Sequence, residues 1–256
     1  MADAALIAES PARPSVLITG AAVGIGLAVA NHLIRRSHRI IALDIDGAAL
    51  AAAYAGFDAD TVFPLVVDVA QEDAVAQAVD AGVAHFAGLH AVINNAALHG
   101  AAWGRPCLEY SQADWRRLLD VNVLAIPMLA KAALPALSRS GGVVVNLSSM
   151  VGYGHGPSSP YAVSKAAVNG LTMALSQELG KHGVRVVGLA PGFIATDVVL
   201  AGLDANARDR LISLQALAET AGPEDIAEII AFLISPAARL ITGTTIIADL
   251  GITRRP

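Results

Sequence analysis

The amino-acid sequence predicts an α/β fold: a doubly wound sheet of seven parallel strands with helices on both faces. Three observations carry that reading. Seven short runs rich in Val, Ile and Leu recur along the 256 residues. Helical stretches separate most of them, the arrangement that joins parallel strands through crossover helices. The runs are continuously apolar rather than alternating, as strands covered on both faces must be.

Each element follows in order. Val16–Gly20 (VLITG) reads as the first strand. A helix over Gly24–Arg36 puts Leu27, Ala30, Leu33 and Ile34 on one face. Arg39–Asp44 is a strand, Ala48–Tyr54 a short helix, Val62–Asp68 a strand and Glu72–Phe86 a helix. Leu89–Ala96 is the fourth strand, and one long helix is expected from about Gln112 to Leu137. Gly142–Ser149 is the fifth strand, and Pro160–His182 contains a helix. Val184–Pro191 is the sixth strand, followed by a mixed segment. The helix Pro223–Ile234 starts on a proline, where a missing N–H costs little. Thr244–Asp249 closes the series. Residues 1–14, closed by Pro11 and Pro14, read as a flexible leader. Residues 15–256 read as a single domain, because no linker, repeat or composition break interrupts them.

Composition narrows the function classes. At 55% hydrophobic and 15% charged residues, the chain is too apolar to be disordered. A net charge of −5 argues against a nucleic-acid partner, which needs a basic face. Cys107 is the only cysteine, so neither an intrachain disulfide nor a cysteine metal cluster is possible, and a reducing cytoplasm is expected. The first residues lack a basic region and carry Asp3 and Glu9, so no secretory signal is expected. The charge-free stretches Ala81–Gly104 and Ser140–Ser164 are broken by Gly, Asn, His or Pro, so no membrane span is expected. No His or carboxylate cluster has metal-ligand spacing, so no metal is expected.

The segment Thr19–Gly26 (TGAAVGIG) lies between the first strand and the first helix. Glycines there permit a tight turn and let backbone N–H groups approach a pyrophosphate, and the helix N-terminus adds partial positive charge. Asp44 ends the next strand, where an acid can accept from both hydroxyls of an adenosine ribose. The same carboxylate would repel a 2′-phosphate. Neither Ala21-Ala22-Val23 nor Ile45-Asp46 offers a basic group to attract one. The residues therefore predict NAD over NADP.

Tyr161 and Lys165 stand four apart and share one face of a helix. A free phenol has a pKa near 10 and is a poor base at neutral pH, but a nearby ammonium favours the phenolate. So tuned, Tyr161 exchanges a proton with an alcohol or carbonyl oxygen. Ser148, at the end of the fifth strand, is the hydroxyl expected to orient that oxygen.

With these motifs in order, the chain resembles the short-chain dehydrogenase/reductase family along residues 15–251. The resemblance rests on TGAAVGIG (Thr19–Gly26), Asp68, NNAA (Asn94–Ala97), Asn122 in DVNVL, Ser148 in VNLSS, YAVSK (Tyr161–Lys165) and PGFIATD (Pro191–Asp197). It implies a Rossmann-like fold and a catalytic tetrad of Asn122, Ser148, Tyr161 and Lys165. Tyr161 would be the acid/base and Ser148 the partner of the substrate oxygen. Lys165 would bind the nicotinamide ribose and lower the Tyr161 pKa, and Asn122 would hold a relay water. The implied cofactor-binding set is Gly20, Val23, Gly24, Ile25, Gly26, Asp44, Ile45, Asp68, Val69, Asn95, Ala96, Pro191, Gly192, Ile194 and Thr196, shared with Tyr161 and Lys165. A homotetramer is implied as well. Two residues depart from the family pattern: Ala97 and Leu250 stand where glycine is usual.

The loops after the fourth, fifth and sixth strands are the expected substrate walls, with Leu98, Met150, Tyr153, His155 and Phe193 as candidates. Their apolar character suggests a hydrophobic or cyclic secondary alcohol or ketone as the small-molecule partner. His99 and His155 are expected as solvated loop histidines, with substrate hydrogen bonding as the alternative. The leading expectation is an NAD-dependent alcohol dehydrogenase or ketone reductase. Its competitors are an NADPH-dependent 3-ketoacyl-carrier reductase and a non-catalytic dinucleotide sensor.

Overall fold

The computed structural model describes residues 13–155 and 159–253. Of the expected leader, all but Arg13 and Pro14 lie outside the described residues. The strands are β1 (Ser15–Thr19), β2 (Arg39–Asp44), β3 (Val62–Val66), β4 (Ala91–Asn94), β5 (Val143–Leu147), β6 (Arg185–Pro191) and β7 (Thr245–Ala248). They form one sheet in the order β3-β2-β1-β4-β5-β6-β7, and every pairing is parallel. The helices are α1 (Gly24–Arg35), α2 (Gly47–Tyr54), α3 (Glu72–Phe86), α4 (Gln112–Leu119), α5 (Ala125–Ser140), α6 (Pro160–Leu179), α7 (Asp197–Ala201), α8 (Ala205–Ser213) and α9 (Pro223–Ile234).

Alternation along the strands feeds two cores. Val16 and Ile18 of β1 pack with Val29 and Leu33 of α1 and Ile230 of α9. Leu17 points the other way, into a cluster with Val79 of α3, Leu129 of α5 and Leu175 of α6. Both faces are therefore buried, which is why the runs read as uninterrupted apolar sequence. Each fully buried Leu, Ile or Val contributes about 1.5–3 kcal/mol. The edge strand β3 departs from this pattern: Val66 is exposed, and Pro64 sits where one side of the ladder has no partner.

Two expectations need correction. The fourth strand ends at Asn94 rather than Ala96, because the Asn95 N–H turns to the Thr19 hydroxyl instead of extending the ladder. The long helix expected over Gln112–Leu137 is α4, a π turn at Asp120–Leu124, then α5. The wider turn swings Asn122 into the interior, as π bulges at functional sites often do. By length and composition alone, the rod Gln112–Ser140 could cross a membrane. Its Ile126, Leu129, Ala133 and Leu137 are instead buried against the sheet and its neighbouring helices.

The chain leaves β1 toward β2 on one side, and β4 lies on the other. Loops diverge at that switch point and open a crevice beyond the carboxyl ends of the strands.

Candidate active site

A cavity of about 940 Å3 occupies this crevice. One end is made mostly of main chain. Gly20 and Gly24 adopt left-handed φ angles of 64° and 57°, which glycine takes without strain. A Cβ on Gly20 would lie 3.0 Å from the Ala96 Cα, so the loop and the end of β4 are in close contact. The Thr19 hydroxyl accepts from the Asn95 and Ala96 amides at 3.0 Å each. The Asn95 side chain donates back to the Thr19 and Gly20 carbonyls at 2.9 and 3.0 Å.

The start of α1 carries no side-chain cap and no acidic residue in its first turn. By contrast, Asp46 caps α2, Ser111 caps α4 and Ser159 caps α6. The uncapped α1 amides face a cavity bordered by Gly20, Val23, Gly24 and Ile25, which fits a bound pyrophosphate. Gly26 does not border the cavity. A Cβ there would collide with the Gly20 carbonyl oxygen, so this glycine serves packing between loop and helix rather than cofactor contact.

Asp44 accepts from the Ala22 amide at 2.9 Å and from the Asp46 amide at 3.0 Å, which fixes its carboxylate on the cavity wall. Ile45, Asp68, Val69, Asn95 and Ala96 border the same end. Asp68 accepts from the Ala70 amide at 3.0 Å. Pro191, Gly192, Ile194 and Thr196 line the cavity beyond β6. There Gly192 passes so close to Asp249 that a Cβ would sit 2.6 Å from its Cα. The donor set and cradle thus suit a dinucleotide.

The other end is made of side chains. Ser159 caps α6, accepting from the Ala162 amide at 3.3 Å, and Pro160 occupies the first turn. The next turn of α6 presents Tyr161 and Lys165 to the cavity. Lys165 is buried, its Nζ donating to the Leu147 carbonyl at 2.6 Å and standing 5.6 Å from the Tyr161 ring centroid. Burial lowers its pKa to about 8. Burial also dominates the phenol, pushing Tyr161 up to about 12, while a hydrogen bond from the Ser149 side chain draws it back. The expected lowering of the phenol by Lys165 is therefore not found in this structure: desolvation is the largest influence on Tyr161, and the Lys165 ammonium donates to the Leu147 carbonyl.

The hydroxyl that meets Tyr161 belongs to Ser149, not to Ser148 as expected. Ser148 also borders the cavity, but its Oγ donates to the Lys165 backbone carbonyl at 3.0 Å. The reason is strand parity. Asn146 of β5 faces α6, donating to the Thr172 hydroxyl at 3.0 Å, and Ser148 continues that face. Ser149 falls on the opposite parity and starts the turn Met150–Tyr153. Gly152 packs that turn onto α6, where a Cβ would lie 2.8 Å from the Lys165 carbonyl carbon. The Ser-Ser doublet was visible in the sequence, and counting parity from Asn146 would have separated the pair.

Asn122 does not border the cavity, and its side chain is committed. It accepts from the Leu98 amide at 2.7 Å, and its Nδ2 donates to the Leu98 carbonyl at 3.1 Å and the Ser164 hydroxyl at 3.0 Å. Ser164 in turn donates to the Tyr161 carbonyl at 2.7 Å. Asn122 therefore ties the loop after β4 to the helix that carries Tyr161.

Of the expected substrate residues, Leu98 borders the cavity. Met150, Tyr153, His155 and Phe193 do not; Phe193 is buried in the protein, and His155 stands near enough to Asp249 to influence its carboxyl. The cavity walls also hold His99, Val198 and Val199, and the exposed Arg116 and Arg117 of α4. No sequence signal marks the two arginines, because α4 reaches the cavity only through tertiary packing.

A family profile described as enoyl-(acyl carrier protein) reductase matches residues 20–253. The cis-4-hydroxycyclohexanecarboxylate dehydrogenase of Sinomonas cyclohexanicum is 36% identical over 251 residues, covering 96% of this chain and 98% of the relative. The chain belongs to the short-chain dehydrogenase/reductase family. A crystal structure of a short-chain dehydrogenase/reductase from Brucella melitensis, glucose/ribitol dehydrogenase, superposes with a TM-score of 0.87 at 30% identity, covering 94% of this chain and 97% of that one. A 3-ketoacyl-(acyl-carrier-protein) reductase from the same organism, solved with NADH, gives a TM-score of 0.83 at 26% identity, covering 93% and 98%. As a member of this family, the chain is an oxidoreductase.

Proposed function

We propose that this short-chain dehydrogenase/reductase interconverts a cyclic or otherwise apolar secondary alcohol and its ketone with NAD(H), Tyr161 moving the proton. One observation carries the reading: a half-buried phenol, a hydroxyl bonded to it and a buried ammonium stand together on the wall of a cavity whose far end suits a dinucleotide. A bound nicotinamide supplies the hydride acceptor or donor. Ser149 holds the substrate oxygen beside Tyr161, and Tyr161 gives or takes the proton at that oxygen. Burial keeps the phenol protonated at neutral pH, ready to donate to a carbonyl. In the oxidative direction Tyr161 must first lose its proton to solvent, a loss that the positive charge of Lys165 favours, and the phenolate then takes the proton of the alcohol. Asn122 holds the loop after β4 in register with α6 rather than touching the reacting atoms.

Asp44 supports NAD, since its fixed carboxylate occupies the ribose end of the cavity wall. The cyclic alcohol in the relative's name supports the substrate class. We read residues 15–256 as one cytoplasmic unit that assembles as a homotetramer. Exposed apolar side chains such as Leu124 of the π turn, Met173 of α6 and Phe232 of α9 support the assembly.

The deciding experiment follows absorbance of the reduced cofactor across a panel of cyclic, aromatic and polyol alcohols, with NAD and NADP in parallel. Oxidation of cyclic alcohols preferring NAD is expected. The Tyr161→Phe variant should keep cofactor binding and lose about 10³-fold in turnover. A preference for NADPH and 3-ketoacyl substrates would replace this reading with the carrier-linked reductase. Cofactor binding without turnover of any substrate would leave a dinucleotide sensor.

A further inference from the structure

His99 stands on the wall of the cavity that holds Tyr161, in the loop after β4. Its ring centroid is 6.5 Å from that of Tyr161, with the planes tilted by 53°. The ring is exposed to the cavity, and no hydrogen bond joins it to another described residue. Ala97 and Leu98, just before it in the loop, are apolar, and Val198 and Val199 line the same cavity.

Its position is enforced. Asn122 grips both backbone groups of Leu98, the residue just before it, at 2.7 and 3.1 Å. Gly100, with φ of 84°, turns the chain away immediately after. A surface histidine would not need such a mount on a residue that is itself braced to the Tyr161 helix through Ser164.

We propose that His99 determines substrate specificity by hydrogen-bonding a second hydroxyl or carbonyl oxygen on the alcohol. The site then selects hydroxylated or keto-substituted cyclic alcohols over bare cycloalkanols. The proposal rests on the dehydrogenase reading above and refines its substrate class. With the ring centroids 6.5 Å apart, the two side chains are close enough to flank one small substrate. One substrate can therefore reach the phenol with its carbinol oxygen and the imidazole with another. Burial, then the charge of Lys165, holds the imidazole below its ordinary pKa. The neutral ring offers one donor and one acceptor, which pairs with a hydroxyl or carbonyl rather than forming a salt bridge with a carboxylate.

The test compares kcat/KM for cyclohexane-1,2-diol and cyclohexanol, with NAD, in the wild type, His99→Leu and His99→Gln. The wild type should favour the diol by about tenfold or more, the scale of one well-made hydrogen bond. The His99→Leu variant should lose that preference, and His99→Gln, which keeps a donor and an acceptor, should restore part of it. A preference that survives in His99→Leu overturns the proposal. So does an equal fall for both alcohols, which is the mark of a merely structural role. If the wild type oxidises neither alcohol, nor any other of the panel, the dehydrogenase reading itself falls. If it oxidises both and the ratio ignores residue 99, only this inference falls.

Discussion

The two ends of the cavity are built by different means. At the dinucleotide end, backbone does the work: left-handed glycines, uncapped helix amides and a carboxylate held by neighbouring N–H groups. At the reacting end, side chains from the loop after β4, the π turn, the end of β5 and the start of α6 converge. The first end is specified by a short stretch of chain and tolerates little added volume. The second is specified by register and packing, so moving one hydroxyl by one residue changes which group meets the substrate.

Four substitutions probe that contrast. The largest effect is expected from Lys165→Met, which should cost about 10³-fold in turnover, the scale of lost proton-transfer catalysis. The same change should raise the unfolding midpoint at pH 7, because a buried ammonium costs stability. The sign follows from linkage. Lys165 titrates near 8 when folded and at 10.5 when unfolded. The unfolded chain therefore holds the extra proton between those values, and wild-type stability gains from this group as pH rises through that window. The stabilising effect of Lys165→Met should shrink over the same window. A variant that is less stable than wild type at pH 7 would show that the ammonium is a net structural asset.

At the backbone end, Gly26→Ala should destabilise by about 3 kcal/mol and abolish cofactor binding, because the new methyl overlaps the Gly20 carbonyl. Thermal unfolding and titration with NADH would check both. Normal binding in that variant would mean the glycine loop shifts freely, contrary to a backbone-specified site.

The two smallest effects sharpen the reacting end alone. Ser149→Ala should lower kcat by about 10²-fold with little change in stability. Ser148→Ala should cost about 1 kcal/mol of stability through its lost bond to the Lys165 carbonyl, with a lesser kinetic effect. The reverse outcome would return the substrate-facing role to Ser148.

Much of the fold was legible in the sequence. The seven apolar runs became the strands of one parallel sheet, and β2, α3 and α9 fall within the residues expected. Local chemistry sets such elements: apolar runs for strands covered on both faces, and Pro223 at a helix start. The left-handed glycines of the loop and the place of Asp44 on the cavity wall were legible for the same reason, since they depend on neighbours within a few residues or one β-α unit. Met150, Tyr153, His155 and Phe193 were plausible as substrate walls from loop position alone, yet they are not among the residues that border the cavity.

What the sequence by itself determined is therefore the sheet, the glycine-rich turn at the cavity mouth and the pairing of Tyr161 with Lys165 on one helical face. Only the tertiary structure decided which serine meets the phenol, what Asn122 grips, and that His99 and the α4 arginines border the cavity. The physical reason is range. Helical and strand periodicities are written in adjacent residues, whereas the π turn, the grip of Asn122 and the desolvation of Tyr161 arise only when separate segments are pressed together.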